Sequence, residues 1–391
     1  MLFDRHLHTL LSRTRALPYA LAAALCWGLL GCGGGAGQAE AQVLQPKVSV
    51  LRSGLASPWG LVFLPSGEML VTERGGRLLR LSADAQTSTE ITGILPVNAA
   101  GQGGLLGLAL DPDFATTLWV YWAFSEPGTG RAAGLTGTAI ARGRLVGNNL
   151  QNVAVLFRQS PKTSGNGHYG SRLVFARDKT LFITLGERQL GSPSQDLGQT
   201  LGKVVRIQRD GSIPADNPAL GAGALPGIWS LGHRNVQGAA LHPDTGELWT
   251  SEHGPQGGDE INITRAGANY GWPVKSYGCN YGSPVGDACR IGGGVHAPSF
   301  VEPLTYWVPT SVAPAGLLFY TGSLIPQWKG NLFSGSLAGQ TLWRMTVSNN
   351  AVLSREALLS DLKERIRDVV QAPDGAIVLL TDSGKLLRLA Q

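Results

Sequence analysis

One unit recurs along this chain: an apolar strand, a turn rich in Pro, Asp and Gly, and a second apolar strand. It is read at residues 61–72, 108–121, 173–184, 239–250 and 369–381, with a looser copy over 317–336. The turn positions Pro65, Pro112, Arg177, Pro243 and Pro373 lie 47, 65, 66 and 130 residues apart, the last interval being double because it spans the looser copy. Several copies run on into a further hairpin, as residues 72–80 and 381–388 do, which makes about four strands per unit. A lone hairpin cannot bury its apolar face, so the copies must pack on one another. The expected fold is therefore all-β: a six-bladed β-propeller of four-stranded antiparallel blades, with strand edges protected by circular closure. A stack of unrelated sandwiches would not share this spacing. No amphipathic helical run of 12 residues interrupts the pattern.

Composition agrees with this reading. Hydrophobic residues make up 43% and charged residues 15%, with 54 Gly, which suits a turn-rich β protein and not a disordered chain. The net charge is +5 without any Lys/Arg block, so nucleic acid is not an expected partner.

Residues 1–42 read as a targeting leader and residues 43–391 as one propeller domain. Arg5, Arg13 and Arg15 precede an uncharged run over 16–31, too short to span a bilayer and suited to a signal segment. Two processing routes fit. Leu29-Leu-Gly-Cys32 resembles a bacterial lipobox, which would anchor the protein by a lipid on Cys32, and Ala39-Glu-Ala41 would serve ordinary cleavage. Either way the protein is expected to be exported, periplasmic or membrane-anchored, and a monomer. In an oxidising compartment Cys279 and Cys289 are expected to form a disulfide around an 11-residue loop, with two reduced thiols as the alternative.

The repeats also locate a site. Counting back from each turn, Gln102 precedes Pro112 by 10 residues, His168 precedes Arg177 by 9 and Arg234 precedes Pro243 by 9. Arg365 and Arg367 precede Pro373 by 8 and 6, and residues two apart on a strand face the same way. Taken alone, each is an ordinary solvated loop residue. At matched offsets in successive blades they are predicted to converge at one mouth of the central channel. The densest polar stretch runs from Leu231 through Arg234, Asn235 and Gln237 to a Gly-rich loop carrying Glu252, His253, Asp259 and Glu260. Packing does not call for such a set, whereas an anionic, oxygen-rich ligand and a hard cation do.

Taken together, Gly101-Gln-Gly-Gly-Leu-Leu-Gly, Gly167-His-Tyr-Gly-Ser-Arg-Leu, Leu231-Gly-His-Arg-Asn-Val-Gln-Gly, Glu252-His-Gly-Pro-Gln-Gly-Gly-Asp-Glu-Ile-Asn, Ala268-Asn-Tyr-Gly-Trp-Pro and Arg365-Ile-Arg-Asp resemble the soluble pyrroloquinoline-quinone (PQQ)-dependent sugar dehydrogenases. The nearer branch is the bacterial aldose sugar dehydrogenases, and the resemblance covers about residues 48–389. It implies oxidation of aldose sugars at the anomeric carbon to lactones by hydride transfer to PQQ, with electrons leaving to an external acceptor. It implies His168 as the base, Arg234 as the group stabilising charge on the reduced quinone, and Gln102 as a residue orienting His168 or substrate. It implies PQQ binding by Arg234, Asn235, Gln237, His253, Arg365 and Arg367. It implies Ca²⁺ on the carbonyl oxygens of Gly254 and Pro255, and a second, structural Ca²⁺ at the Glu260 carboxylate and the Tyr270 carbonyl. A tricarboxylate quinone needs cations and amides, and a hard cation prefers oxygen ligands, so these residue types suit those roles.

The chain departs from the glucose dehydrogenase branch at two places. Gly167 stands where that branch has an Asp before the base, and Ala338 stands where it has a Lys contacting PQQ. Both departures point away from tight glucose preference. Asp196 and Lys203 are polar neighbours without an assigned role. Two other classes share the fold: a calcium-dependent propeller lactonase, which needs a cage of side-chain carboxylates, and a binding propeller, which needs no base.

Overall fold

The computed structural model describes residues 46–391, so the expected leader and its Cys32 lie outside the described residues. Six four-stranded antiparallel sheets occupy residues 58–91, 105–158, 173–230, 236–307, 314–358 and 366–390. The sixth segment supplies three strands of its blade. Its fourth is β1 (Lys47–Arg52), which pairs antiparallel with β24 (Leu386–Ala390). The repeat pattern did not reveal this closure, since β1 carries no turn signal of its own. It couples the two ends of the propeller and leaves no open blade.

The first strands of the blades are β2 (Pro58–Phe63), β6 (Leu105–Leu110), β10 (Leu173–Phe175), β14 (Val236–Leu241), β18 (Pro314–Phe319) and β22 (Ile366–Gln371). Each contacts the next around the axis, and β22 contacts β2, so the ring is complete. The approach at the axis is close. A Cβ at Gly107 would fall 1.9 Å from the Ser171 carbonyl oxygen, and one at Gly238 would fall 2.1 Å from that of Ala315. Only glycine fits there. Between the blades lie apolar layers, for example Leu70, Leu105, Trp122 and Phe124 between the first two, and Trp249, Ile263, Phe319 and Leu332 between the fourth and fifth.

Five of the six inner strands break register at the same level: Pro58/Leu61, Leu105/Leu108, Val236/Gly238, Pro314/Leu317 and Ile366/Asp368. A bulge leaves a residue unpaired and re-aims its side chain. Gln237 and Arg367 are such residues, and they are brought together across the channel, Arg367 Nη1 donating to Gln237 Oε1 at 2.8 Å. The single α-helical turn among the described residues is Phe114–Thr117. The expected disulfide is present, with Cys279 and Cys289 at a Cα–Cα distance of 5.2 Å.

Candidate functional site at the channel mouth

The predicted residues come from two kinds of position. Gln102, His168 and Arg234 sit in the segments entering inner strands, and His253 follows β15 (Leu248–Glu252), the second strand of its blade. In an antiparallel blade the start of the first strand and the end of the second share one face, so these groups meet. A cavity of about 310 Å³ is lined by Gln102, Gln237, His253, Arg365 and Arg367 of the predicted set. Trp59, Arg74 and Asp382 join them. A larger cavity, about 550 Å³, is lined by Asp111, Trp119, Arg142 and Arg209. It lies at the opposite strand ends and holds none of the predicted groups.

His168, like Arg234 and Asn235, is not among the cavity walls; its backbone N–H donates to Oε1 of the wall residue Gln102 at 2.8 Å. Its backbone is left-handed, with φ 49°, a conformation rare outside glycine and held here by the surrounding bonds. His168 Nδ1 lies 2.7 Å from Glu187 Oε1, which fixes the ring and leaves Nε2 for substrate. Glu187 is in turn pinned by the Gly191 N–H at 2.8 Å. Burial lowers the His168 pKa, Glu187 opposes that effect, and the Arg234 charge adds to it. The net direction is downward, so the imidazole is neutral and basic at neutral pH. Sequence reasoning missed Glu187; its only signal was a carboxylate just past the apolar strand Leu181–Thr184.

Cationic groups dominate the mouth. Arg365 Nε donates to Asp382 Oδ2 at 2.9 Å, and Arg367 Nε to Asp382 Oδ1 at 2.9 Å. The two arginines share one carboxylate but not one environment: the Arg365 side chain is 47% exposed and that of Arg367 10%. Arg365 therefore guards the rim and Arg367 the interior. Behind them Arg172 donates to the backbone oxygens of Gln237 at 2.6 Å and Arg367 at 2.9 Å, and pairs with Asp368 at 2.8 Å. It ties three blades together at the axis. Arg172, Arg74 and Asp382 were also missed by sequence reasoning, each being unremarkable alone. Arg74 donates to the Gly103 carbonyl oxygen at 3.1 Å. Ala338 donates its N–H to the Val312 oxygen and brings no charge.

His253 lies with Nε2 3.0 Å from the Pro314 oxygen. Burial, then the Arg234 charge, with His168 and Arg367 as further neighbours, holds its pKa well below the usual histidine value. Asn235 Oδ1 accepts the Gly170 N–H at 3.1 Å, while its Nδ2 is buried without a partner, as is Arg234 Nε. Buried donors without acceptors are costly, and an anionic ligand would satisfy them. The three arginines lining the cavity exceed its one aspartate. The donor set therefore fits a multiply charged anion of the PQQ type.

The expected metal ligands fall in two places. The Gly254 carbonyl oxygen accepts from Arg234 Nη1 at 2.7 Å. Its turn is shaped by Asp259, whose Oδ1 takes the Gly254 N–H at 2.8 Å and whose Oδ2 takes the Ala313 N–H at 2.8 Å. Pro255 follows in the same turn. Glu260 and Tyr270 are not among the cavity walls. Glu260 is directly opposite Glu252 in the strand register, and both are buried. Burial and then the Glu252 charge push the Glu260 pKa well above the carboxylate range. Tyr270 stacks on His233 at 4.6 Å, and His233 Nδ1 is 2.8 Å from Glu252 Oε2. Asn262 Oδ1 is buried beside this pair without a partner. Like charges facing across strands are unfavourable, and a cation would relieve them. Among the described residues no three His, Cys, Asp or Glu side chains group to hold a metal, so such a cation would draw on carbonyl oxygens as well.

Lys203 has a structural setting: its buried Nζ donates to the oxygens of Pro193, Ser194 and Leu201 at 2.8, 2.9 and 2.9 Å. Asp196 accepts the Gly198 N–H at 2.8 Å and caps a turn.

Comparison with known proteins agrees with this geometry. The family model described as glucose/sorbosone dehydrogenase matches residues 55–388. The aldose sugar dehydrogenase YliI of Escherichia coli (strain K12) is 42% identical over 353 residues, covering 88% of this chain and 92% of that protein. A crystal structure of a glucose dehydrogenase shares 45% identity with a TM-score of 0.83, covering 88% of this chain and all of that one (100%). The PQQ-bound form of an aldose sugar dehydrogenase from Streptomyces coelicolor shares 31% identity with a TM-score of 0.72, over 88% of this chain and 98% of that one. On the strength of the matched span and identity, the chain is a member of the glucose/sorbosone dehydrogenase family.

Proposed function

We propose that this protein oxidises aldose sugars at the anomeric carbon to lactones, using bound PQQ and Ca²⁺ and passing electrons to an external acceptor other than NAD or oxygen. The observation that carries the reading is a cavity walled by Arg74, Arg365 and Arg367, whose wall residue Gln102 holds the backbone of the Glu187-paired His168. PQQ, when bound, supplies the two-electron acceptor that the side chains lack. Arg365, Arg367, Arg74, Gln237 and Asn235 would hold its carboxylates and carbonyls by charge-assisted and neutral hydrogen bonds. The carbonyl oxygens of Gly254 and Pro255 would hold one Ca²⁺, with the Arg234 guanidinium turning from Gly254 toward the anion. The Glu260 carboxylate and the Tyr270 carbonyl would hold a second, structural one. His168 Nε2 takes the proton of the anomeric hydroxyl, and Glu187 steadies the imidazolium that forms. Gln102 keeps the His168 backbone in place. The same reading takes the protein to be exported, free in the periplasm or held by a lipid on Cys32, in line with the leader-like residues 1–42 and the bonded cysteines.

The test is reconstitution. Purified apoprotein is expected to gain dye-linked aldose oxidation when PQQ and Ca²⁺ are added together, with neither sufficient alone. Activity with NAD in the absence of PQQ would sink the reading.

A pH profile tests the dyad. Because the His168 pKa is lowered, the acid limb of kcat/KM should fall below the ordinary histidine value of about 6.5. Glu187 acts to raise that pKa. Glu187→Gln should therefore move the limb to still lower pH while reducing the maximum rate. A limb moving upward would contradict the arrangement.

A further inference from the structure

Gly167 immediately precedes the base, and a Cβ built on it would lie 2.4 Å from both Cδ and Oε1 of Gln189. The room a side chain at 167 would use is already filled by the Gln189 carboxamide. Gly167 itself does not have a left-handed backbone, so it is not glycine for conformational reasons.

The loop that delivers Gln189 is held at a cost. Arg188 and Gln189 have φ of 61° and 63°, two left-handed non-glycine residues in succession. Such residues are unfavourable, and surrounding structure must over-determine them. Arg188 does so: its buried guanidinium donates to the Gly167 oxygen at 2.8 Å and the Thr136 oxygen at 3.1 Å, and lies 3.7 Å from the Tyr169 ring centroid. Glu187 on the other side is fixed by His168 and Gly191. The neighbours are pinned, whereas Gln189 is exposed. Strain that presents an exposed amide beside the reacting base does nothing for packing.

We propose that Gln189 is the specificity-determining residue that reads the sugar hydroxyl next to the reacting carbon, its carboxamide standing where a side chain at 167 would stand. This deepens the proposed function and rests on it. A carboxamide both donates and accepts, so it can serve a hydroxyl of either configuration, whereas a carboxylate can only accept. Such a site accepts several epimers. The other amide at the base, Gln102, has its Oε1 occupied by the His168 N–H.

The test is a double-mutant cycle on PQQ- and Ca²⁺-loaded enzyme, with a panel of aldoses epimeric at the hydroxyl next to the anomeric carbon. Gln189→Ala should raise KM about 3- to 10-fold with kcat within about twofold, the worth of one neutral hydrogen bond in substrate binding. Gly167→Ala should match it, because the new methyl displaces the carboxamide. The double variant should be no worse than either single one. Gln189→Asn should restore part of the loss, and Gln189→Glu should both change the KM ratio between epimers and move the acid limb of kcat/KM upward. PQQ affinity unchanged in Gln189→Ala would show that the variant is folded. Unchanged KM for every sugar in Gln189→Ala, or fully additive effects of the two alanines, would overturn the inference while leaving the proposed function standing. Wild-type enzyme that binds PQQ yet oxidises no aldose would instead overturn both.

Discussion

His168→Gln is expected to lower turnover by roughly 10²–10⁴-fold, the usual worth of a positioned base, while PQQ affinity stays within a fewfold. The reason is positional. The ring of His168 is bonded to Glu187 through Nδ1 and its backbone to Gln102, and it makes no hydrogen bond to Arg365 or Arg367. Gln keeps similar bulk and can still donate toward Glu187, so the loop conformation survives. It has no group that titrates near neutrality. Stopped-flow reduction of the bound cofactor by an aldose would read the chemical step directly. The contrary outcome is loss of PQQ binding with turnover per bound cofactor unchanged. That result would make His168 a cofactor ligand, and the base would have to be sought elsewhere.

Arg367→Ala should do the reverse, weakening PQQ binding by about 2–4 kcal/mol with a much smaller fall in turnover at saturating PQQ. Arg367 is buried at the bulge of β22, where it holds Asp382 and Gln237. An anionic carboxylate brought to that point without the guanidinium would be desolvated and unpaired, and it would also face Asp382 with only Arg365 left to offset it. Arg365→Ala should cost less, since its side chain is about half exposed and screened by water. Equal losses from the two arginines, measured by fluorescence titration of apoprotein with PQQ, would contradict the division into rim and interior.

The blade pattern and the channel mouth were legible in the sequence because both depend on local order. A hairpin announces itself by apolar alternation around a Pro-Asp-Gly turn, and rotation about an axis turns equal sequence offsets into spatial convergence. Of the residues picked by spacing, Gln102, Arg365 and Arg367 line one cavity, whereas His168 and Arg234 stand off its walls. Tertiary structure alone decided the rest. The pairing of β1 with β24 joins strands at opposite ends of the chain, and nothing local encodes it. The bulges that turn Gln237 and Arg367 toward each other arise where inner strands crowd at the axis. Glu187, Arg172 and Asp382 act only through partners that are distant in sequence or on another strand: Glu187 lies 19 residues from His168, and Arg172 lies 195 from Arg367. Gly167 could be noted as a missing side chain, but only the fold shows that Gln189 fills its place, since that contact exists solely because two loops close over the same base.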